Sequence, residues 1–253
     1  SKAGYKTPNG FVITIHSYQD FVKHNQLQEK IAFELGRKDF ENMRWEEIWD
    51  AALRIRSAFL AGQYPGDLKQ KILTQLKPLD ITKQLAARSS SPKEDTASAS
   101  FAGLHESIIG IKDETGLLKS IKQVWASLWS DAALLYQHEL GLDPMKSTMA
   151  VVVQELVQEP VSGVAFGIDP RNPASNQSII EAVPGLCENL VDGSIDPHRW
   201  ILNKKTGALI THKKGVRNPD QELLDVTDVQ QIFKMLINLS DIFGWNADTE
   251  WTG

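Results

Sequence analysis

Four short segments of this 253-residue chain carry residue types suited to holding phosphate. Moving a phosphoryl group asks little covalent chemistry of a protein. It asks for cations, metal ions and backbone donors that hold the phosphates and spread the developing charge. In Arg88-Ser89-Ser90-Ser91 a guanidinium ends an apolar run and hydroxyls follow it. An arginine can grip phosphate through two parallel hydrogen bonds, and hydroxyls and loop amides add donors. In Ser100-Phe101-Ala102-Gly103 small residues surround one aromatic, which lets backbone approach a ligand closely. Gln154-Glu155-Leu156-Val157 ends a strand-like run, and a strand exit can offer a carbonyl and an amide to an adenine edge. In Asp248-Thr249-Glu250-Trp251 strand alternation puts both carboxylates on one face, where they can hold magnesium between phosphate oxygens. Taken singly, each segment also has a plain structural reading: a solvated loop, a tight turn, a strand end and an acidic sheet edge.

Glu181 stands inside an otherwise apolar strand, where an unpaired carboxylate is costly. It needs an arginine, a ribose hydroxyl or a metal beside it. His105 and His198 are acid–base candidates, although isolated histidines are more often packing or surface residues, and Cys187 reads as a small packing residue. The chain has no Cys/His metal spacing, nucleophile elbow, dinucleotide fingerprint or P-loop.

The elements that must position these residues fall into two parts. Pro8-Asn9-Gly10 is a turn before a buried strand at Phe11–Ile15, and Ser17 with Asp20 gives a weak capping signal for a helix through Phe21 and Val22. Trp45, Ile48, Trp49, Ala52 and Phe59 mark a long helix, Pro65-Gly66-Asp67 starts another, and Ile121, Val124, Trp125, Leu128 and Ala132 mark a second long one. Residues 88–103 are small, polar and charged and read as a loop. From Met149 the period changes, with strands at Ala150–Val157, Gly163–Ile168 and Ser178–Val183. A hairpin follows around Asn203–Gly207, then a late helix capped by Thr227 and Gln230. The order predicts an α+β fold with a helix-rich part at 1–145 and a strand-rich part at 146–253.

Composition narrows the partners. The net charge of -5 argues against nucleic acid or an anionic membrane as the main partner. The single cysteine rules out an intramolecular disulfide, and no apolar run approaches the roughly 20 residues of a membrane span. Ser1-Lys2-Ala3-Gly4 lacks the apolar core of a signal peptide, so a cytoplasmic enzyme domain is the expectation.

In order along the chain, these segments resemble the nucleotide-binding domain of the phosphoenolpyruvate synthase and pyruvate phosphate dikinase family. The resemblance rests on Gly4–Thr14, on Ala87-Arg88-Ser89-Ser90 with Glu94-Asp95 and Ala99–Gly103, and on Ala150–Val157 with Val161–Phe166 and Asp169-Pro170. It continues through Ile180–Glu188 with Val191-Asp192-Gly193, and through Asp248–Trp251. The sequence departs from the family at Pro92, Leu104 and Cys187, which replace a threonine, a glutamine and a glycine.

The resemblance implies an ATP-grasp fold whose two lobes clamp ATP with magnesium. It implies that Arg88 and Glu250 are catalytic and that Arg88, Ser89, Gln154, Leu156, Val157 and Glu181 bind the nucleotide, with Asp248 and Glu250 at the metal. It implies two partners elsewhere in a longer protein: a swivelling domain whose histidine takes the phosphate, and a domain that binds the acceptor. A rifamycin-phosphotransferase-like enzyme, a non-catalytic ATP sensor and a domain with no nucleotide are the alternatives.

Overall fold

A computed structural model describes residues 4–91, 95–96, 99–100, 104–191, 193–215 and 221–253. The fold is mixed α and β, and the chain forms two compact units, Thr7–Leu156 and Ser1–Lys6 with Val157–Gly253. Among the described residues no helix is long and apolar enough to cross a membrane.

The first unit begins with β1 (Gly10–Ile13), α1 (Ile15–His24), α2 (Leu27–Leu35), α3 (Trp45–Ala61) and α4 (Gly66–Leu76). It continues with β2 (Leu85–Ser90), the two-residue strands β3 (Asp95–Thr96) and β4 (Ala99–Ser100), and β5 (Ser107–Ile111). It closes with α5 (Glu114–Ser127), α6 (Asp131–Glu139) and β6 (Ala150–Glu155). Four strands form a sheet in the order β1-β6-β2-β5. Alternation sends Leu85 and Ala87 of β2, and Val151 and Val153 of β6, into one core with the helices. The helices answer with Phe21 of α1, Ile48, Ile55 and Phe59 of α3, and Leu117, Ile121 and Trp125 of α5. Each such side chain contributes roughly 1.5–3 kcal/mol when fully buried, so this helix-covered face holds the unit together.

The second unit contains β7 (Val161–Phe166), β8 (Gln177–Pro184), α7 (Glu188–Val191), β9 (His198–Asn203), β10 (Leu209–Lys213), α8 (Val226–Phe243) and β11 (Asp248–Thr252). Its five strands run β10-β9-β8-β7-β11, each pair antiparallel. Ala165, Ile180, Ala182, Trp200 and Leu202 pack against Val229, Phe233 and Leu236 of α8. One glycine is required here. A Cβ on Gly163 would lie 1.8 Å from the Glu181 carbonyl oxygen and 2.6 Å from Cζ2 of Trp251.

Several expectations need correction. The serine stretch is not all loop: Arg88, Ser89 and Ser90 continue β2, because its neighbour β6 supplies backbone partners as far as Ser90. The long helix through Ala132 is two, since Ser130 accepts the Ala133 amide at 3.1 Å and caps a new helix after α5 ends at Ser127. The capping box of α8 is Asp225 with Asp228, two residues before the expected pair. Helix α1 starts at Ile15 behind Thr14, with no side-chain cap. The change of hydrophobic period at Met149 falls just before β6, which pairs with β1 and β2 and so belongs to the first compact unit.

Gly163→Ala is expected to destabilise the protein by about 2–3 kcal/mol, because the methyl meets a backbone oxygen that cannot turn away. Urea denaturation checks this, and a loss below about 0.5 kcal/mol, the ordinary range for an uninvolved surface position, would show that the sheet relaxes freely.

Candidate functional site

In the first unit, β2 and β6 bring two of the expected residues together. Register places Arg88 opposite Val152 and Ala86 opposite Gln154, so Arg88 and Gln154 project from the same face. That face is the one turned away from the helix-packed residues Leu85, Ala87, Val151 and Val153. Arg88 is exposed. Ser89, opposite Val151, projects from the helix-packed side. Its side chain therefore does not join Arg88 there.

The exit of β6 is tied down more firmly than a plain strand end. The Glu155 amide donates to the Asn9 carbonyl at 2.9 Å, and the Leu156 amide donates to the Gln84 carbonyl at 3.0 Å. Gln84 presents that carbonyl from a left-handed backbone, φ 63°. The Leu156 amide is thus engaged within the fold and does not offer a donor to an adenine edge. Glu155, 8% exposed, anchors the exit through its carboxylate. It accepts the Asp80 amide at 2.9 Å and the Asn9 side-chain amide at 3.4 Å, with the Lys83 ammonium 3.8 Å away. Sequence reading gave Glu155 no role. The available signal was an acidic residue at a buried-strand position, the same signal that singled out Glu181.

In the second unit, one row crosses the sheet. Glu250 lies opposite Val164, Val164 opposite Glu181, Glu181 opposite Arg199, and Arg199 opposite Lys213. Residues in register share a face, so Glu250, Glu181 and Arg199 project together, away from the α8 side. With strands about 4.8 Å apart, the Glu181 and Glu250 backbones are separated by about 10 Å. Asp248 sits on the same face, two residues from Glu250 and so about 7 Å along the strand. Asp248 and Glu250 are both exposed. Among the described residues, no group of three or more histidine, cysteine or carboxylate side chains is gathered to hold a metal. A carboxylate pair with hard oxygens still suits magnesium, which keeps waters and takes phosphate oxygens for the rest of its shell.

Glu181 has the partner its burial demands. The Arg199 Nε donates to Glu181 Oε1 at 2.5 Å, and Arg199 Nη2 lies 2.5 Å from the same oxygen. Arg199 was missed in the sequence, where it reads as one polar position in the alternation His198-Arg199-Trp200-Ile201. The pairing needs the β8–β9 register, which no local spacing encodes.

The histidines fall elsewhere. His198 is opposite Ala182, on the α8 side of the sheet, with its ring 6.0 Å from that of Trp200. Trp200 stacks in turn on His212 at 4.4 Å. Burial pushes the His105 imidazole below its usual pKa. Cys187 is half-buried. Phe101-Ala102-Gly103, with Pro92–Glu94 and Asp192, lies outside the described residues.

Removing Arg199 would leave a mostly buried carboxylate without its cation. Arg199→Met is expected to cost about 2–3 kcal/mol in chemical denaturation. The double variant Glu181→Met/Arg199→Met should recover much of that loss. Equal stability of wild type and Arg199→Met would show that the pair contributes nothing.

A family model described as "Pyruvate phosphate dikinase, AMP/ATP-binding domain" matches residues 1–253. The chain is 29% identical, over 98% of its length, to a probable phosphoenolpyruvate synthase of Methanocaldococcus jannaschii, of which it covers 23%. It is 35% identical, over 80% of its length, to a phosphoenolpyruvate synthase of Aeropyrum pernix, of which it covers 25%. It is 26% identical, over 98% of its length, to a rifampicin phosphotransferase of Bacillus cereus, of which it covers 30%. The chain therefore spans about a quarter of the length of these relatives. By the match over its whole length, it belongs to the pyruvate phosphate dikinase AMP/ATP-binding domain family.

Proposed function

We propose that this chain is the ATP-grasp domain of a longer phosphotransferase, and that it passes phosphate from magnesium-bound ATP to a histidine on a separate swivelling domain. The observation that carries the reading is the placement of Asp248, Glu250 and Glu181 on one face of the second sheet, in a chain that matches an AMP/ATP-binding family throughout. Asp248 and Glu250 hold the magnesium and, through it, the phosphates. Glu181, oriented by Arg199, accepts hydrogen bonds from the ribose. In the first unit the Arg88 guanidinium binds the phosphates, where its fixed charge stabilises the transferring group. Gln154, Leu156 and Val157 line the adenine, with Leu156 contributing its side chain and carbonyl, since its amide serves Gln84. Ser89 contributes through its backbone, given the direction of its side chain.

The phosphate then needs an acceptor that this domain does not supply. Relatives named phosphoenolpyruvate synthase support phosphoenolpyruvate as the final product, and in this reading the carrier histidine hands its phosphate to pyruvate in a third domain. The relative named rifampicin phosphotransferase favours a second reading, in which the same kind of domain serves an antibiotic hydroxyl. The two readings share every residue assigned above and differ only in the acceptor-binding domain.

Calorimetric titration of the chain with ATP, with and without magnesium, tests the nucleotide assignment. Arg88→Ala is expected to weaken ATP binding about tenfold or more, the scale of a lost charge-assisted hydrogen bond, while the unfolding midpoint stays near wild type. Glu250→Gln is expected to abolish most of the magnesium dependence. Unchanged ATP affinity in Arg88→Ala, or unchanged magnesium dependence in Glu250→Gln, removes that residue from the site. In the full-length protein, labelled phosphate from ATP should appear as acid-labile, base-stable phosphohistidine, and its absence during turnover would contradict histidine transfer.

A further inference from the structure

A cavity of about 610 Å³ opens in the first unit between α1, α2 and the turn preceding β6. Its size suits a small organic ligand, and it shares no residue with the segments assigned to the nucleotide. Its charge is one-sided. Lys23 and Lys146 line it and, among the described residues, no aspartate or glutamate does, although the whole chain carries a net charge of -5. Asp143 lies 3.7 Å from Lys146, an exposed pairing that neutralises little.

A buried donor lies among the same residues. The Tyr18 phenol is 3% exposed, and its oxygen accepts the Trp129 indole N–H at 3.1 Å. That bond uses a lone pair and leaves the phenol proton to donate. Among the described residues this proton meets no acceptor. Burial pushes the phenol pKa up, so the proton stays on the oxygen at neutral pH. A buried donor without an acceptor is rare enough to need an explanation, and a ligand oxygen supplies one. The remaining wall is apolar, from Val22, Ile31, Trp129 and Met145.

We propose that this cavity binds a small amphipathic carboxylate. The carboxylate accepts from the Tyr18 hydroxyl and pairs with Lys23 and Lys146, and the apolar body lies against Val22, Ile31, Trp129 and Met145. A single carboxylate can meet both ammonium groups and the hydroxyl, and the apolar wall suits a ligand with a hydrocarbon body.

The test uses the isotopically labelled chain and two probes, 4-phenylbutyrate and its neutral amide, followed by amide chemical shifts. Saturable shifts at residues 18–31 and 145–148 are expected with the carboxylate, and the neutral amide should bind about fivefold more weakly or worse. The double variant Lys23→Met/Lys146→Met should remove that preference while leaving the spectrum folded. Tyr18→Phe, which keeps the ring, should also weaken the carboxylate selectively; if it disturbs folding, the lysine variant decides alone. No saturable shift at millimolar probe, or equal affinity for acid and amide, overturns the proposal. So does displacement of the probe by ATP, because the cavity would then belong to the nucleotide.

Discussion

Each of the two larger sheets has one face packed against helices, and the rest of the structure depends on that arrangement. In the first unit α1, α3 and α5 cover the face carrying Leu85, Ala87, Val151 and Val153. In the second, α8 covers the face carrying Ala165, Ile180 and Trp200. A face sealed by helices must be apolar, whereas the opposite face can carry polar and charged side chains. The residues with candidate chemistry collect there: Arg88 and Gln154 in one unit, Glu181, Asp248 and Glu250 in the other. Strand periodicity makes this all-or-none. A slip of one residue in β2 would send Arg88 into the helices and Ala87 outward, so the apolar core sets the register that places the guanidinium.

The same constraint explains why much of the fold was legible. Sealed faces leave a period of two in strands and about 3.6 in helices. Strands β6, β7 and β8 and helix α3 therefore showed in the sequence. What was misread had been settled by contacts distant in sequence. Ser89 and Ser90 look like loop residues until β6 lends them partners, which overrides their turn preference. Around Ser130 the apolar spacing runs on, and a single hydroxyl cap nevertheless splits the helix. Strand β6 alternates like the strands after it, while its partners β1 and β2 come from the first half of the chain, a pairing no local pattern shows.

For the candidate site, local rules carried part of the way. Alternation alone put Asp248 and Glu250 on one face, and the cost of burying a charge alone required a partner for Glu181. Naming Arg199 as that partner required the β8–β9 register. The engagement of the Leu156 amide required the carbonyl of Gln84, a positive-φ residue earlier by the length of two helices and several strands. Side-chain types announce the chemistry; the hydrogen-bond accounting that decides which backbone groups remain for a ligand is a property of the folded chain.

Binding of magnesium–ATP by the assigned residues is what the proposed function requires first. Hydrogen–deuterium exchange of the chain with and without magnesium–ATP addresses it most directly. Slowed exchange is expected in two separate segments, around residues 154–157 at the exit of β6 and around 248–252 in β11. Slowing confined to one of them, or to neither at saturating nucleotide, would contradict it.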